Sequence, residues 1–385
     1  MTVDRSLYPG REQAYVKHYL LDGYLDDAFH KVASRFDEVV YVDGFSGPWQ
    51  AKGTNFADTS FGIALAALRR AKATWKEKGR DVRVTAHLVE TRSEAYRELQ
   101  QLQPRFPEVI IRPRHANFVD VAGEIAASIS SSAFAFLFID PKGWRIDMRR
   151  IAPLLQLSNC EVLFNFMFEF INRAASIDDP EISAGLDQLM LDKGWRAALA
   201  ETDNPSPSVR KQILIDGFAA ALASAGKFDF VAETPVFRPM RNRTLYSLFF
   251  GTRKAKGIEV FRSHQVKTFK CQNEVRAEAK LSASVTATGQ IEAFDFREMA
   301  PDQSATLLSE QLSLARSTML AAVPIAPKWI DYGRLWPAVL GKHVVTKPQV
   351  NRLIVSAERE GLVRIEGWSG GKKVPDDHYR ISRVT

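Results

Sequence analysis

The stretch Phe134-Ala-Phe-Leu-Phe-Ile-Asp-Pro-Lys-Gly-Trp144 decides the fold. Six apolar residues in a row, with no polar alternation, read as a strand buried on both faces. Such strands belong to parallel sheets covered by helices. The strand stops at Asp140-Pro141, where proline removes a backbone donor and Gly143 permits a turn. The apolar window 133–139 is far shorter than the roughly 18 residues a membrane span needs.

Outward from this strand the alternation repeats. Residues 38–42 form a β-branched run ending at Asp43-Gly44, residues 82–89 end at Glu90, residues 109–111 precede Asn117, and 161–168 follow Cys160. The segments 15–32, 91–102, 121–129 and 151–157 carry apolar residues at helical spacing, as does the stretch behind the cap Asp58-Thr59-Ser60. Residues 172–227 read as a polar, helix-rich insertion. Two further strands, 228–237 and 244–250, are joined by Arg238-Pro-Met-Arg-Asn-Arg243. A terminal antiparallel hairpin on a parallel sheet is the pattern of a methyltransferase-type Rossmann domain. The expected architecture is therefore α/β: a Rossmann-like class I methyltransferase domain over 1–270, a linker over 271–305, and a compact C-terminal domain over 306–385.

Composition sets outer bounds. The 385 residues include 52 Lys and Arg against 45 Asp and Glu, a net charge of +7, with 45% hydrophobic and 25% charged residues. These values exclude a disordered or collagen-like chain, and the length suits about two or three folded units. Two cysteines, Cys160 and Cys271, are too few for a disulfide scaffold, and no histidine or cysteine spacing marks a metal site. The first residues lack the apolar run of a signal peptide, so a cytoplasmic protein is expected, with no membrane partner.

Each strand end carries a polar group suited to a nucleoside. Asp43-Gly44-Phe45-Ser46-Gly47-Pro48 is a turn whose glycines let backbone approach a ligand. Glu90 can accept hydrogen bonds from both hydroxyls of a ribose. Asn117 and Phe118 can read the edge of an adenine and pack on its face. Taken singly, these are ordinary turns and solvated carboxylates; their succession along four strand ends is the stronger signal. The dinucleotide fingerprint G-x-G-x-x-G is absent, and S-adenosylmethionine, which has no pyrophosphate, suits the pattern. In the Asp140-Pro141 turn, the carboxylate and the Pro141 carbonyl can accept hydrogen bonds from an amine on a base, while Trp144 stacks on that base. The plainer alternative makes Trp144 a packing residue and Lys142 a solvated one. Glu169 and Arg173 are expected near the mouth of this site. His87 reads as a core residue, and His115 as a possible border of the cofactor.

With these residues in view, the sequence resembles the three-Cys-motif partner protein family (TcmP). The resemblance rests on Tyr41-Val-Asp-Gly-Phe-Ser-Gly-Pro48, His87-Leu-Val-Glu90, Phe138-Ile-Asp-Pro-Lys-Gly-Trp144, Leu163-Phe-Asn-Phe166, the helix around Lys17, and Leu245-Tyr-Ser-Leu-Phe-Phe-Gly-Thr-Arg253. It covers roughly residues 10–270. It implies a class I methyltransferase fold and a partner protein with a three-cysteine motif. The Asp-Pro run is similar to the Asp-Pro-Pro-aromatic motif of amino methyltransferases acting on nucleic-acid bases. The sequence departs from the family at Trp49, where a glycine is common, and at Asp58-Thr59-Ser60, where Gly-Ser-Pro is common.

The C-terminal pattern is that of a winged helix-turn-helix. Thr346 caps a helix with Pro348 in its first turn, and Val350, Leu353, Ile354 and Ala357 form its apolar face. Its exposed face would present Lys347, Gln349, Asn351 and Arg352, and Lys372 with Lys373 would form the wing tip. From Asp331 onward there are ten Lys and Arg against six Asp and Glu. Such charge suits phosphate contacts, and Gln and Asn can read base edges, so nucleic acid, DNA over RNA, is the expected partner. Winged helices also bind proteins. A basic helix holding Arg253, Lys254, Lys256, Arg262, Lys267 and Lys270 fits either role. The expected activity is methyl transfer to a base amine. The alternatives are a binding partner that keeps the fold without catalysis, and a small-molecule N-methyltransferase.

Overall fold

The computed structural model describes residues 3–47, 56–202, 205–288, 303–368 and 373–384. Two compact units divide the chain, Met1–Lys254 and Ala255–Thr385.

The first unit is built on a seven-stranded sheet: β1 (Glu38–Asp43), β2 (Arg83–Glu90), β3 (Ile110–His115), β4 (Phe134–Ile139), β5 (Cys160–Phe166), β6 (Phe230–Phe237) and β7 (Thr244–Thr252). Their order is β3-β2-β1-β4-β5-β7-β6. Strands β1 to β5 pair in parallel, and β7 runs antiparallel to both β5 and β6. The expected terminal hairpin is present, so β6 points the same way as β1 to β5. Chain order reverses between β1 and β4, the place where open α/β sheets form a ligand crevice beyond their carboxyl ends.

Alternation along β4 shows why its run is wholly apolar. Ala135, Leu137 and Ile139 join one buried cluster with residues of α4 (Phe118–Ser128), α5 (Met148–Leu155) and α9 (Pro207–Gly226). On the other face, Phe136 packs against Tyr24 and Phe29 of α1 (Glu12–Ala33), with ring centroids 5.7 and 6.3 Å apart. Both faces of β4 are covered by apolar side chains, which is why its run carries no polar residue. The remaining helices of this unit are α2 (Ser60–Glu77), α3 (Ser93–Gln100), α6 (Phe168–Ala174), α7 (Pro180–Met190) and α8 (Gly194–Glu201), and α6 to α9 make up the helix-rich insertion.

Beneath this sheet runs a buried polar tie. Glu161 of β5 accepts from Tyr24 Oη at 2.5 Å and from Thr252 Oγ1 at 2.9 Å, which joins α1, β5 and β7. Burial pushes the Glu161 carboxyl above its usual range.

The second unit contains α10 (Ala255–Thr288), α11 (Gln303–Ala322), β8 (Ile330–Asp331), α12 (Tyr332–Lys342), α13 (Lys347–Arg359), β9 (Val363–Glu366) and β10 (Arg380–Arg383). Its sheet has the order β8-β10-β9, antiparallel throughout. Two expectations change here. The boundary lies at residue 254 rather than 270, and residues 271–288 continue a helix instead of forming a linker. The signal missed was that the buried polar stripe of the basic helix, Arg262, Gln265 and Thr268, continues past residue 270 through Gln272 and Arg276. Their polarity mimics a linker, while their periodicity is that of a helix.

Candidate active site

The glycine turn after β1 is held from several sides. Asp43 is fully buried, and its carboxylate accepts from Tyr41 Oη at 3.0 Å, from the Phe45 amide at 3.0 Å and from Ser60 Oγ at 2.7 Å. Burial pushes this carboxyl up to about 6, opposed by those three donors and reinforced by the charge of Asp140. Asp43 thus organises the turn from behind, and Ser60, at the start of α2, is the partner that sequence reading missed. The turn is also stitched to its neighbours: the Gly44 amide donates to Phe138 O at 3.0 Å, and the Ser46 amide to Val89 O at 2.9 Å. Gly44 is required by packing, since a Cβ there would lie 2.9 Å from the Phe118 ring. Phe118 is itself 1% exposed and lies 5.8 Å from the Phe45 ring, so it supports the turn from within the core. Gly47 is half-buried at the end of the described turn, and Pro48 and Trp49 lie outside the described residues.

Strand β2 delivers Glu90, which is buried and accepts the Arg92 amide at 2.7 Å and the Thr91 hydroxyl at 3.3 Å, both on Oε1. The Ala116 amide donates to the Glu90 carbonyl at 3.1 Å, tying the end of β3 to that of β2. Asn117 is exposed and caps α4 through its side chain, which accepts the Val119 amide at 3.2 Å. His115 stacks on Tyr96, with its Nε2 2.9 Å from Thr91 O. His87 is a core residue, held neutral by burial down to a pKa of about 4.

Asp140 stands at the end of β4 with partners from distant segments. Its Oδ2 pairs with Lys17 Nζ of α1, and its Oδ1 accepts from Asn165 Nδ2 of β5 at 2.5 Å. The Lys17 side chain is 14% exposed and the Asp140 side chain 22% exposed, so the pair lies at the edge of solvent. Lys17 Nζ also sits 6.0 Å from the Tyr246 ring centroid, and Tyr246 Oη donates to Gln13 O at 2.5 Å. Burial, then the Asp140 charge, pushes the Tyr246 hydroxyl up. Asn165 Oδ1 is buried with no hydrogen-bond partner, a costly state that marks many functional sites. Lys142 is exposed, and its ammonium is shifted down by partial burial and Arg92 against the pull of Glu90, so the β4 loop and the end of β2 share one electrostatic field. Pro141 is buried. Trp144 is half-buried on the core, and its Nε1 would lie 3.2 Å from a Cβ at Gly185 of α7, which corresponds to the packing alternative for this residue.

Groups around Asp43, Glu90 and Asp140 therefore meet at one rim, the carboxyl end of the sheet. Each carboxylate oxygen of Asp140 keeps a second lone-pair site, so the carboxylate can accept another N–H beside Lys17 and Asn165.

In the C-terminal unit, several residues expected to read DNA have internal work. Lys347 pairs with Asp377 at 3.0 Å and lies 4.0 Å from the Trp336 ring centroid. Gln349 completes the capping box of α13, its Oε1 accepting the Thr346 amide at 2.8 Å. Asn351 accepts Tyr332 Oη at 2.5 Å. Arg352 and Lys373 are exposed, and Lys372 lies outside the described residues. The basic helix is likewise reduced. Arg253 lies ahead of it and caps the carbonyls of Leu155, Leu157 and Gly226, while Arg262 is buried and donates to Leu340 O at 2.8 Å. Local contacts of this kind cannot be read from a charge count.

Among the described residues no helix is long and apolar enough to cross a membrane, and no group of three or more His, Cys, Asp or Glu is placed to hold a metal ion. No family model matches the chain, and no curated protein matches it. Similar solved structures include a Legionella pneumophila protein, 10% identical with a TM-score of 0.37, over 61% of this chain and 84% of that one. Another is a loganic acid methyltransferase with SAH, 8% identical with a TM-score of 0.28, over 80% of this chain and 90% of that one. Both are too distant to bear on chemistry. The strand order itself gives the conclusion: this is an α/β chain built on a mostly parallel seven-stranded sheet with a terminal antiparallel hairpin.

Proposed function

We propose that the protein is an S-adenosylmethionine-dependent methyltransferase acting on an amine of a nucleic-acid base, in DNA in preference to RNA. One observation carries the reading. Asp140, in an Asp-Pro turn beside the switch between β1 and β4, shares a rim with the glycine turn and with Glu90. This is where open α/β sheets take nucleoside ligands. The residues suit the cofactor. Glu90 is anchored through one oxygen and suits the ribose, the turn from Asp43 to Gly47 suits the methionine end, and Asn117 borders the adenine with Phe118 packed behind.

The cofactor supplies an electrophilic methyl group on a sulfonium sulfur. The chain's part is to hold the acceptor nitrogen in line. Asp140 accepts one N–H of the amine and the Pro141 carbonyl accepts the other, which raises electron density at nitrogen. Lys17 and Asn165 fix the Asp140 carboxylate from either side. The C-terminal unit, read as a winged helix, adds phosphate contacts through Arg352, Lys373 and Lys372. By the TcmP resemblance, a protein with a three-cysteine motif is a candidate partner.

Calorimetry with S-adenosylmethionine and a tritiated-methyl assay on duplex DNA, RNA and metabolite pools test this. Glu90→Ala is expected to weaken cofactor binding at least tenfold. Asp140→Ala is expected to abolish transfer while cofactor binding persists. Wild-type protein that binds no cofactor, or transfer undiminished in Asp140→Ala, refutes the proposal.

A further inference from the structure

The hairpin between β6 and β7 reaches the same rim as Asp140, because β6 runs parallel to β1 to β5. Its loop is Arg238-Pro-Met-Arg-Asn-Arg243, and the facing helix is α6, Phe168–Ala174. Together the loop and α6 carry four arginines (173, 238, 241 and 243) and one acid, Glu169. Glu169 is buried, and Arg238 grips it with two bonds, Nε to Oε1 at 2.8 Å and Nη2 to Oε2 at 2.5 Å. Arg243 Nε stands 3.2 Å from the same Oε1. One carboxylate thus pins the hairpin to α6, and within these two segments the arginines outnumber it by three. The guanidinium side chains of Arg238 and Arg243 remain 46% and 55% exposed, and Arg173 and Arg241 are exposed too. On the same helix Phe170 is 41% exposed, with the Arg173 guanidinium over its ring 4.9 Å from the centroid.

We propose that this pinned arginine ledge, with Phe170, holds the DNA strand next to the acceptor base, its guanidiniums on the phosphates and the ring under a flanking base. The inference rests on the methyltransferase reading and names where its polymer substrate lies. Arginine forks match phosphate oxygens, and an exposed aromatic offers any base a stacking face. Glu169 is a positioning residue here. It holds Arg238 and Arg243 in place, which lowers the ordering cost when phosphate binds.

The test measures binding of a fluorescent DNA oligonucleotide to the full chain, by anisotropy, between 50 and 200 mM KCl. Two lost phosphate contacts should flatten the slope of log affinity against log salt by nearly two, so the double variant Arg241→Gln/Arg243→Gln loses roughly tenfold less affinity over this range than wild type. The lysine double variant Arg241→Lys/Arg243→Lys keeps the charge and should keep the wild-type slope, which separates phosphate contact from misfolding. S-adenosylmethionine affinity should be unchanged in both. A wild-type slope in the glutamine variant overturns the ledge. So does wild-type protein that binds no DNA, or binds RNA more tightly through the same two arginines. Cofactor affinity, measured separately, shows whether the methyltransferase reading falls with it.

Discussion

Replacing Asp43 by asparagine should change how stability depends on pH, and the size of the change follows from burial. The carboxyl has no exposure in the folded chain and is held up to about 6, against 3.8 for the free group. Between those values the folded chain keeps the proton that the unfolded chain releases. Stability contributed by this group is therefore full below pH 4 and is lost as pH rises towards 6. The window spans about two pH units at about 1.4 kcal/mol each, so the loss totals roughly 3 kcal/mol. Asp43→Asn keeps the side-chain volume and an acceptor for the Phe45 amide but cannot titrate. Urea unfolding of both proteins from pH 4 to 7, followed by tryptophan fluorescence, should show the wild type losing about 3 kcal/mol relative to the variant. Carboxylates remote from Asp43 cancel in the difference, and Asp140, whose charge acts on Asp43, is the exception. Parallel stability curves would refute the claim that Asp43 is a buried carboxyl whose ionisation opposes folding. The same titration has a functional side, because the charge restored above pH 6 lies behind the turn where a cationic cofactor would sit. Cofactor affinity should rise through this range in wild type and stay flat in Asp43→Asn.

Lys17→Met removes the counter-charge of a carboxylate at the edge of solvent, and about 1–2 kcal/mol of stability should go with it; methyl transfer should drop more than tenfold in kcat with little change in cofactor affinity, and Lys17→Arg should restore part of it. Gly44→Ala forces a Cβ to 2.9 Å from the Phe118 ring, so thermal unfolding should show a loss of about 1–3 kcal/mol, and adding Phe118→Leu should recover some of it.

The strands were legible in the sequence because their causes are local, although β3 runs on to His115 where the apolar run stops at 111, and β5 ends at Phe166 because α6 begins at Phe168. An all-apolar run has few ways to be buried, and Asp-Gly or Asp-Pro stops a strand wherever it stands. The chain therefore announces β1 to β5, the hairpin of β6 and β7, and polar groups at strand ends. It does not announce partners. Lys17 meets Asp140 across 123 positions, and Ser60 meets Asp43 across 17. The same is true of the C-terminal unit, where Lys347, Gln349 and Asn351 read as a free polar face until Asp377, Thr346 and Tyr332 are seen to engage them. The helix Ala255–Thr288 was obscured in its second half because its buried stripe is polar, and composition alone cannot tell a satisfied buried amide from a solvated one.

What the sequence by itself determined was which segments are strands and which chemical groups stand near their ends, since periodicity and turn chemistry act over a few residues. Only tertiary structure decided which groups share a rim and which charges are already paired, because hydrogen bonds and ion pairs depend on distances that chain closure sets.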